Sequence, residues 1–161
     1  MDLGIAGKTA LVTAASKGLG LGAASALAAE GCNVAVNARD PQRLASAVGS
    51  IPGSTHALAG DVTVPEEPAR LVEATVQRFG GLDILVANAG GPPPARALEL
   101  DDAAIRAALE ANLLTSIRLV RAALPHMREA GWGRIVLLTS FGAGLTWAAT
   151  LVRWTMAEPP A

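Results

Sequence analysis

The stretch that most constrains this chain is Val12-Thr13-Ala14-Ala15-Ser16-Lys17-Gly18-Leu19-Gly20. The apolar run over residues 9–13 leads into it and predicts a buried strand. A helix rich in Ala and Leu leads out of it to Glu30. A strand that ends in a glycine turn and opens a helix makes a cradle for a phosphate. The first backbone N–H groups of the helix have no partner within it, and the helix dipole there favours an anion. Gly18 and Gly20 carry no Cβ, so a pyrophosphate can approach the backbone and the helix can pack close to the strand.

The remaining sequence continues the same alternation. Residues 33–37 (NVAVN) predict a second strand, and Asp40-Pro41 opens a helix that ends by Gly49, with Asp as cap and Pro at the first position. Residues 55–59 predict a third, weaker strand. Thr63-Val64-Pro65-Glu66 reads as a capping-box start to a helix whose face carries Ala69, Val72, Val76 and Phe79. Residues 82–87 (LDILVA) predict a fourth strand, followed by Asn88-Ala89-Gly90-Gly91 and a stiff Pro92-Pro93-Pro94 loop. A long helix starts near Asp101. Ile105, Leu109, Leu113, Ile117, Val120 and Leu124 mark its expected buried stripe, and Pro125 is expected to end or kink it. Residues 134–139 (RIVLLT) predict a fifth strand. No repeat or linker divides the chain. Alternating helices and near-continuous apolar strands predict a doubly wound α/β domain whose parallel sheet is covered on both faces. Its ligand crevice lies at the carboxyl ends of the strands.

Composition removes several classes of function. The net charge is −1 and the charges are interspersed, which predicts no nucleic-acid footprint and no attachment to an anionic membrane. The single Cys32 reads as a buried thiol and fits a reducing cytoplasm. The first residues lack the basic and apolar regions of a secretion signal, which also points to a cytoplasmic protein. Residues 135–152 carry no charge, but glycines and hydroxyl residues interrupt them. A buried strand, a glycine turn and a short helix fit this segment better than a membrane span. No cluster of metal-ligating residues is expected.

About 20 residues beyond the glycines, folds of this kind read the cofactor ribose. Here that position holds Asn37-Ala38-Arg39, with no carboxylate and with a guanidinium able to grip a 2′-phosphate. Lys17 adds a second cation. The pair favours NADP over NAD.

Together these residues resemble the short-chain dehydrogenase/reductase family, of the type that includes 3-oxoacyl-carrier-protein reductases. The family pattern Thr-Gly-x-x-x-Gly-x-Gly appears here as Thr13-Ala14-x-x-x-Gly18-x-Gly20, a mild change if the Ala14 position needs no positive φ. Asp61-Val62 matches the family's adenine-contacting pair, and Asn88-Ala89-Gly90 its Asn-Ala-Gly motif. The resemblance implies a Rossmann-type sheet in the order 3-2-1-4-5 over residues 1–140, lacking the family's last strands. It implies a dinucleotide held by Thr13, Ser16, Lys17, Gly18, Leu19 and Gly20, by Arg39, Asp61 and Val62, and by Asn88, Ala89 and Gly90. It also implies a small carbonyl or alcohol substrate, and oligomers formed through the long helix over residues 101–124.

The catalytic positions are less complete. Asn112 reads either as a hydrogen-bonded amide on a helix face shared with Ser116, or, as the resemblance implies, as a member of the catalytic tetrad that holds a water. Ser140 reads either as a strand-terminating serine or as the residue that hydrogen-bonds the reacting oxygen. The family's Tyr-x-x-x-Lys motif has no counterpart, because the chain contains no tyrosine and its lysines are Lys8 and Lys17. Resemblance stops abruptly near residue 140, as truncation or a frameshift would produce. The tail over residues 141–161 is divergent, and Trp147, Leu151 and Trp154 recur at helical spacing. These residues therefore predict a hydride-transferring oxidoreductase by descent, with catalysis in doubt. The alternatives are a non-catalytic nucleotide-binding fragment and, with less support, another Rossmann-type enzyme such as a methyltransferase.

Overall fold

Five apolar runs become the parallel strands of one sheet: β1 (Thr9–Val12), β2 (Asn33–Ala38), β3 (Thr55–Ala59), β4 (Ile84–Asn88) and β5 (Arg134–Ser140). They take the order 3-2-1-4-5, as predicted, and a sixth strand, β6 (Trp147–Arg153), adds antiparallel to β5. The computed structural model describes residues 3–90, 101–140 and 147–153; Pro92–Pro94, Phe141 and Trp154 lie outside them. The helices are α1 (Gly18–Ala29), α2 (Pro41–Ser50), α3 (Glu67–Phe79), α4 (Asp102–Leu109) and α5 (Thr115–Glu129), with a π-helical turn over Glu110–Leu114 joining the last two.

The two faces of the sheet follow from the period of two along each strand. Ala10, Val12, Val34, Val36, Ile84 and Val86 turn to one face and meet Ala24 and Ala28 of α1 and Leu44 of α2. Leu11, Ala35, Leu85 and Ala87 turn to the other and meet Leu71 and Val72 of α3 and Leu119, Ala123 and Met127 of α5. Because both faces are covered, the strands read as unbroken apolar runs rather than alternating ones. Asp40 caps α2 as expected, accepting hydrogen bonds from the Gln42 and Arg43 amides at 2.9 and 3.1 Å, with Pro41 in the first turn. At the amino edge of the sheet, Lys8 pairs with Asp83 at 3.1 Å and lies over the Trp132 ring.

The structure departs from expectation at four places. The tail forms a strand, not a helix: β5 offers an open edge of unpaired backbone groups, and a Thr-, Leu- and Val-containing segment pairs with it from Arg134↔Arg153 to Ser140↔Trp147. The predicted capping box does not form. Asp61 Oδ1 instead accepts from the amide and hydroxyl of Thr63, and α3 starts at Glu67. Pro125 lies inside α5 without ending it. The long helix does not bury one continuous stripe. Ile105, Leu109 and Leu113 are 47%, 51% and 53% exposed, while Leu119, Ala123 and Met127 face the sheet. The π turn between them accommodates an extra residue, so the 3.6-residue period cannot carry one face across it. Among the described residues, no helix is long and apolar enough to cross a membrane.

Candidate functional site

The turn between β1 and α1 stands at the carboxyl edge of the central strands. Thr13 is fully buried, and its hydroxyl donates to the Asn88 carbonyl at 2.7 Å while accepting from the Asn88 amide at 2.9 Å. The Asn88 side chain donates to the Ala14 carbonyl at 3.2 Å. The ends of β1 and β4 are thus buckled together across the sheet. Thr13 thus holds the turn from behind, its buried hydroxyl engaged on both sides.

The rest of the turn opens outward. Gly18 has φ +57°, and a Cβ there would meet open space. Lys17 provides no side-chain cap to α1, and the first turn of the helix holds no acidic residue. Its leading amides are therefore left for an external anion. Leu19 is 55% exposed beside them, and Ser16 is half-buried. Gly20 serves packing: a Cβ there would lie 2.7 Å from the Ala14 carbonyl oxygen and 2.8 Å from Asn88 Nδ2. Ala14 takes φ +49°, the left-handed region that favours glycine. The Ala-for-Gly replacement at this position is therefore strained, against the condition under which it would have been mild.

The second wall comes from the ends of β2 and β3. Asn37 is buried, and its amide donates to the Leu58 and Gly60 carbonyls at 2.9 and 3.0 Å, tying β2 to the turn after β3. Arg39 is exposed and approaches Asp61 at 3.8 Å. Burial pushes the Asp61 carboxyl up, but the Thr63 amide and hydroxyl and the Arg39 guanidinium outweigh it and hold the group below its ordinary value. Val62 is buried in the core, so of the predicted Asp-Val pair Asp61 alone is half-exposed. Between α1 and α2 lies an open concavity of about 400 Å³ lined by Ser16, Lys17, Arg43, Ser46 and Ser50 among others. Arg39 does not line it, so the two cations paired in the sequence do not share one hollow. Ala89 is half-buried and Gly90 exposed beyond β4.

Asn112 and Ser140 stand apart from this turn in the chain. Asn112 sits half-buried in the π turn. Its amide donates to the Ala108 carbonyl at 2.9 Å, and its own carbonyl accepts from the Ser116 hydroxyl at 2.7 Å. Ser140 is the last residue of β5, at the carboxyl end of the sheet, in register with Trp147. His56 packs edge-on against Phe79, and His126 meets Glu73 at 3.2 Å, so both histidines have structural neighbours. Cys32 is buried, its thiol donating to the Ile5 carbonyl. Among the described residues, no group of metal-ligating side chains is assembled.

The sequence model of the short chain dehydrogenase family matches residues 8–152. This chain belongs to that family. The chain is 37% identical over 136 residues to the L-fucose dehydrogenase of Bos taurus, covering 84% of this chain and 50% of the relative. It is 32% identical over 138 residues to the D-beta-hydroxybutyrate dehydrogenase of Rhizobium meliloti, covering 83% of this chain and 54% of that one. Among solved structures, L-sorbose reductase from Gluconobacter frateurii, crystallised with NADPH and L-sorbose, superposes with a TM-score of 0.78 at 37% identity. That match covers 84% of this chain and 53% of the reductase. The chain thus spans about half the length of these relatives.

The family binds a nicotinamide dinucleotide, and the residues present fit one. At the glycine turn a Cβ on Gly18 would meet open space, Leu19 lies exposed beside it, and Lys17 adds a cation at the start of α1. Sequence reasoning missed Arg43, Ser46 and Ser50. They recur at spacings of three and four on α2, a helix face that was readable but carried no ligand signal by itself.

Proposed function

We propose that this short-chain dehydrogenase holds NADP in the crevice bounded by the glycine turn, the ends of β2 and β3, and Asn88-Ala89-Gly90, in preference to NAD. The observation that carries the reading is the outward-facing turn, Ser16 to Leu19, with a cation in it and no carboxylate in the first helical turn. The end of β2 supports the phosphorylated cofactor: it offers a buried amide and Arg39 where a ribose-reading carboxylate would otherwise stand. The cofactor supplies hydride chemistry toward a small carbonyl or alcohol. In these 161 residues Asn112 and Ser140 are the candidate proton-relay and substrate-orienting positions, and no tyrosine or neighbouring lysine joins them. A phenol needs such a cation to move a proton near neutral pH. This chain is therefore a dinucleotide binder with little turnover of its own.

Thermal melts with NADPH and NADH test the binding: NADPH raises the melting temperature more than NADH at equal concentration. No shift with either cofactor would refute the site. Loss of NADPH absorbance with a panel of ketones tests turnover, and rates typical of the family would overturn the non-catalytic reading.

The exposed stripe of Ile105, Leu109 and Leu113 is the proposed contact with a second copy. An antiparallel pairing centred between Leu109 and Leu113 brings Asp101 and Asp102 of one copy toward Arg121 of the other, matching charge at both ends of an apolar seam.

A further inference from the structure

We propose that Arg134 and Arg153, at the amino edge of the parallel strands, form a site for a small oxyanion, a phosphate or a carboxylate, that fastens β6 to β5. The inference is independent of the dinucleotide reading, because β5 begins at the opposite end of the sheet from the glycine turn.

The register of the last two strands is the first ground for it. Antiparallel pairing sets Arg153 directly opposite Arg134. Facing positions in such a pair have Cβ atoms about 4.5–5.5 Å apart, and like charges there oppose the pairing. The state of Arg134 is the second. Its guanidinium stacks on Trp132, 4.5 Å from the ring centre, and Nη1 donates to the Gly133 carbonyl at 2.8 Å. Among the described residues no carboxylate forms an ion pair with it. A guanidinium held in this way keeps donors free for an oxyanion, which it takes in a bidentate fashion. The neighbouring acid does not fill the role. Asp83 accepts from Lys8 Nζ at 3.1 Å through one oxygen and from the Thr9 amide at 2.8 Å through the other. Lys8 itself lies 4.4 Å from the centre of the same indole. Lys8 and Arg134 thus share one engaged carboxylate, and the register adds Arg153 to the same edge. An anion with two or more acceptor oxygens supplies the missing charge and turns a repelling pair into a bridged one. β6 is then held more firmly on β5 when the anion is present.

Hydrogen exchange of the whole chain, read by mass spectrometry over residues 147–153, tests the site. Inorganic phosphate and succinate are titrated separately against sodium chloride at matched ionic strength. At least one of them is expected to slow exchange in this segment about fivefold and saturably, and which one does so tells phosphate from carboxylate. R134Q and R153Q lose the response, with circular dichroism as the check on folding. R153Q leaves the stack on Trp132 untouched, so it decides the matter if R134Q folds poorly. K17Q keeps the response, since an anion at the glycine turn is a separate event. R153E places a carboxylate opposite Arg134 and should slow exchange in chloride alone to the level that the wild type reaches with the oxyanion, with no further response to it. No slowing by either anion in the folded wild type overturns the proposal. A response that survives in R134Q and R153Q but disappears in K17Q also overturns it, and leaves the cofactor reading standing.

Discussion

Ala14 shows how a single methyl group can mark the difference between a family pattern and one member of it. At φ +49° its Cβ crowds the backbone, at a cost of about 1–2 kcal/mol relative to a residue without one. The conformation persists because its carbonyl is held by Asn88 and the flanking Thr13 is locked to the same residue. Ala14→Gly is therefore expected to stabilise the chain by about 0.5–1 kcal/mol, the relieved strain less the extra freedom that glycine gives the unfolded state. The change would appear as a higher urea midpoint at constant slope. Gly20→Ala is the opposite case. Its new methyl would collide with the Ala14 carbonyl and Asn88 Nδ2, and a loss of about 1–3 kcal/mol is expected. Equal midpoints for all three proteins would show that the turn relaxes freely and is not the rigid cradle described here.

At the scale of elements, the long helix carries two apolar faces, and the sheet covers only one of them. Its apolar period was legible in the sequence. Which residues the sheet would bury was not, because a π turn leaves no signature in apolar spacing yet rotates everything beyond it. Leu109 and Leu113 are already exposed in the isolated chain, so changing both to Asp should alter monomer stability by no more than about 0.5 kcal/mol each. The same changes should dissociate the proposed pair. Sedimentation equilibrium would show twice the chain mass for the wild type and one chain mass for the double variant. A wild-type chain that sediments as a monomer at high concentration removes the pairing. Sheet edges pose a related problem for sequence reading. The segment Trp147–Arg153 has the spacing of a helix, and it becomes β6 because β5 presents an unpaired ladder beside it. Pairing with a neighbour overrides local pattern, and single-chain periodicity does not contain that neighbour.

Across the whole molecule, the alternation of strands and helices and the glycine turn were readable because both follow from local chemistry: apolar runs, caps and glycines in sequence. The strand order came with the family resemblance. The partition of the basic residues was not readable, since Arg39 turns to Asp61 and Arg43 to the α1–α2 hollow only once β3 lies beside β2. The same rim sets the response to acid. The Arg70 hydrogen bonds hold the Glu67 carboxyl below its ordinary value against burial, and Asp61 is held low as well. Groups lowered in the folded state contribute stability above about pH 4–4.5, and that contribution is lost as pH falls through the lowered values. Melting curves between pH 7 and pH 3 should show Arg70→Gln melting below the wild type at neutral pH and the two converging in acid. A gap that stays constant to pH 3 would mean the pair adds nothing that titrates. The buckle between Thr13 and Asn88 bears, finally, on the order of events in time. It joins residues 75 positions apart, so the turn after β1 has nothing to close against until β4 has been made and docked. The proposed nucleotide cradle, first in the chain, is thus among the last parts of the central sheet to be finished, and on that reading a nascent chain cannot hold a dinucleotide before the middle of its own sequence has emerged.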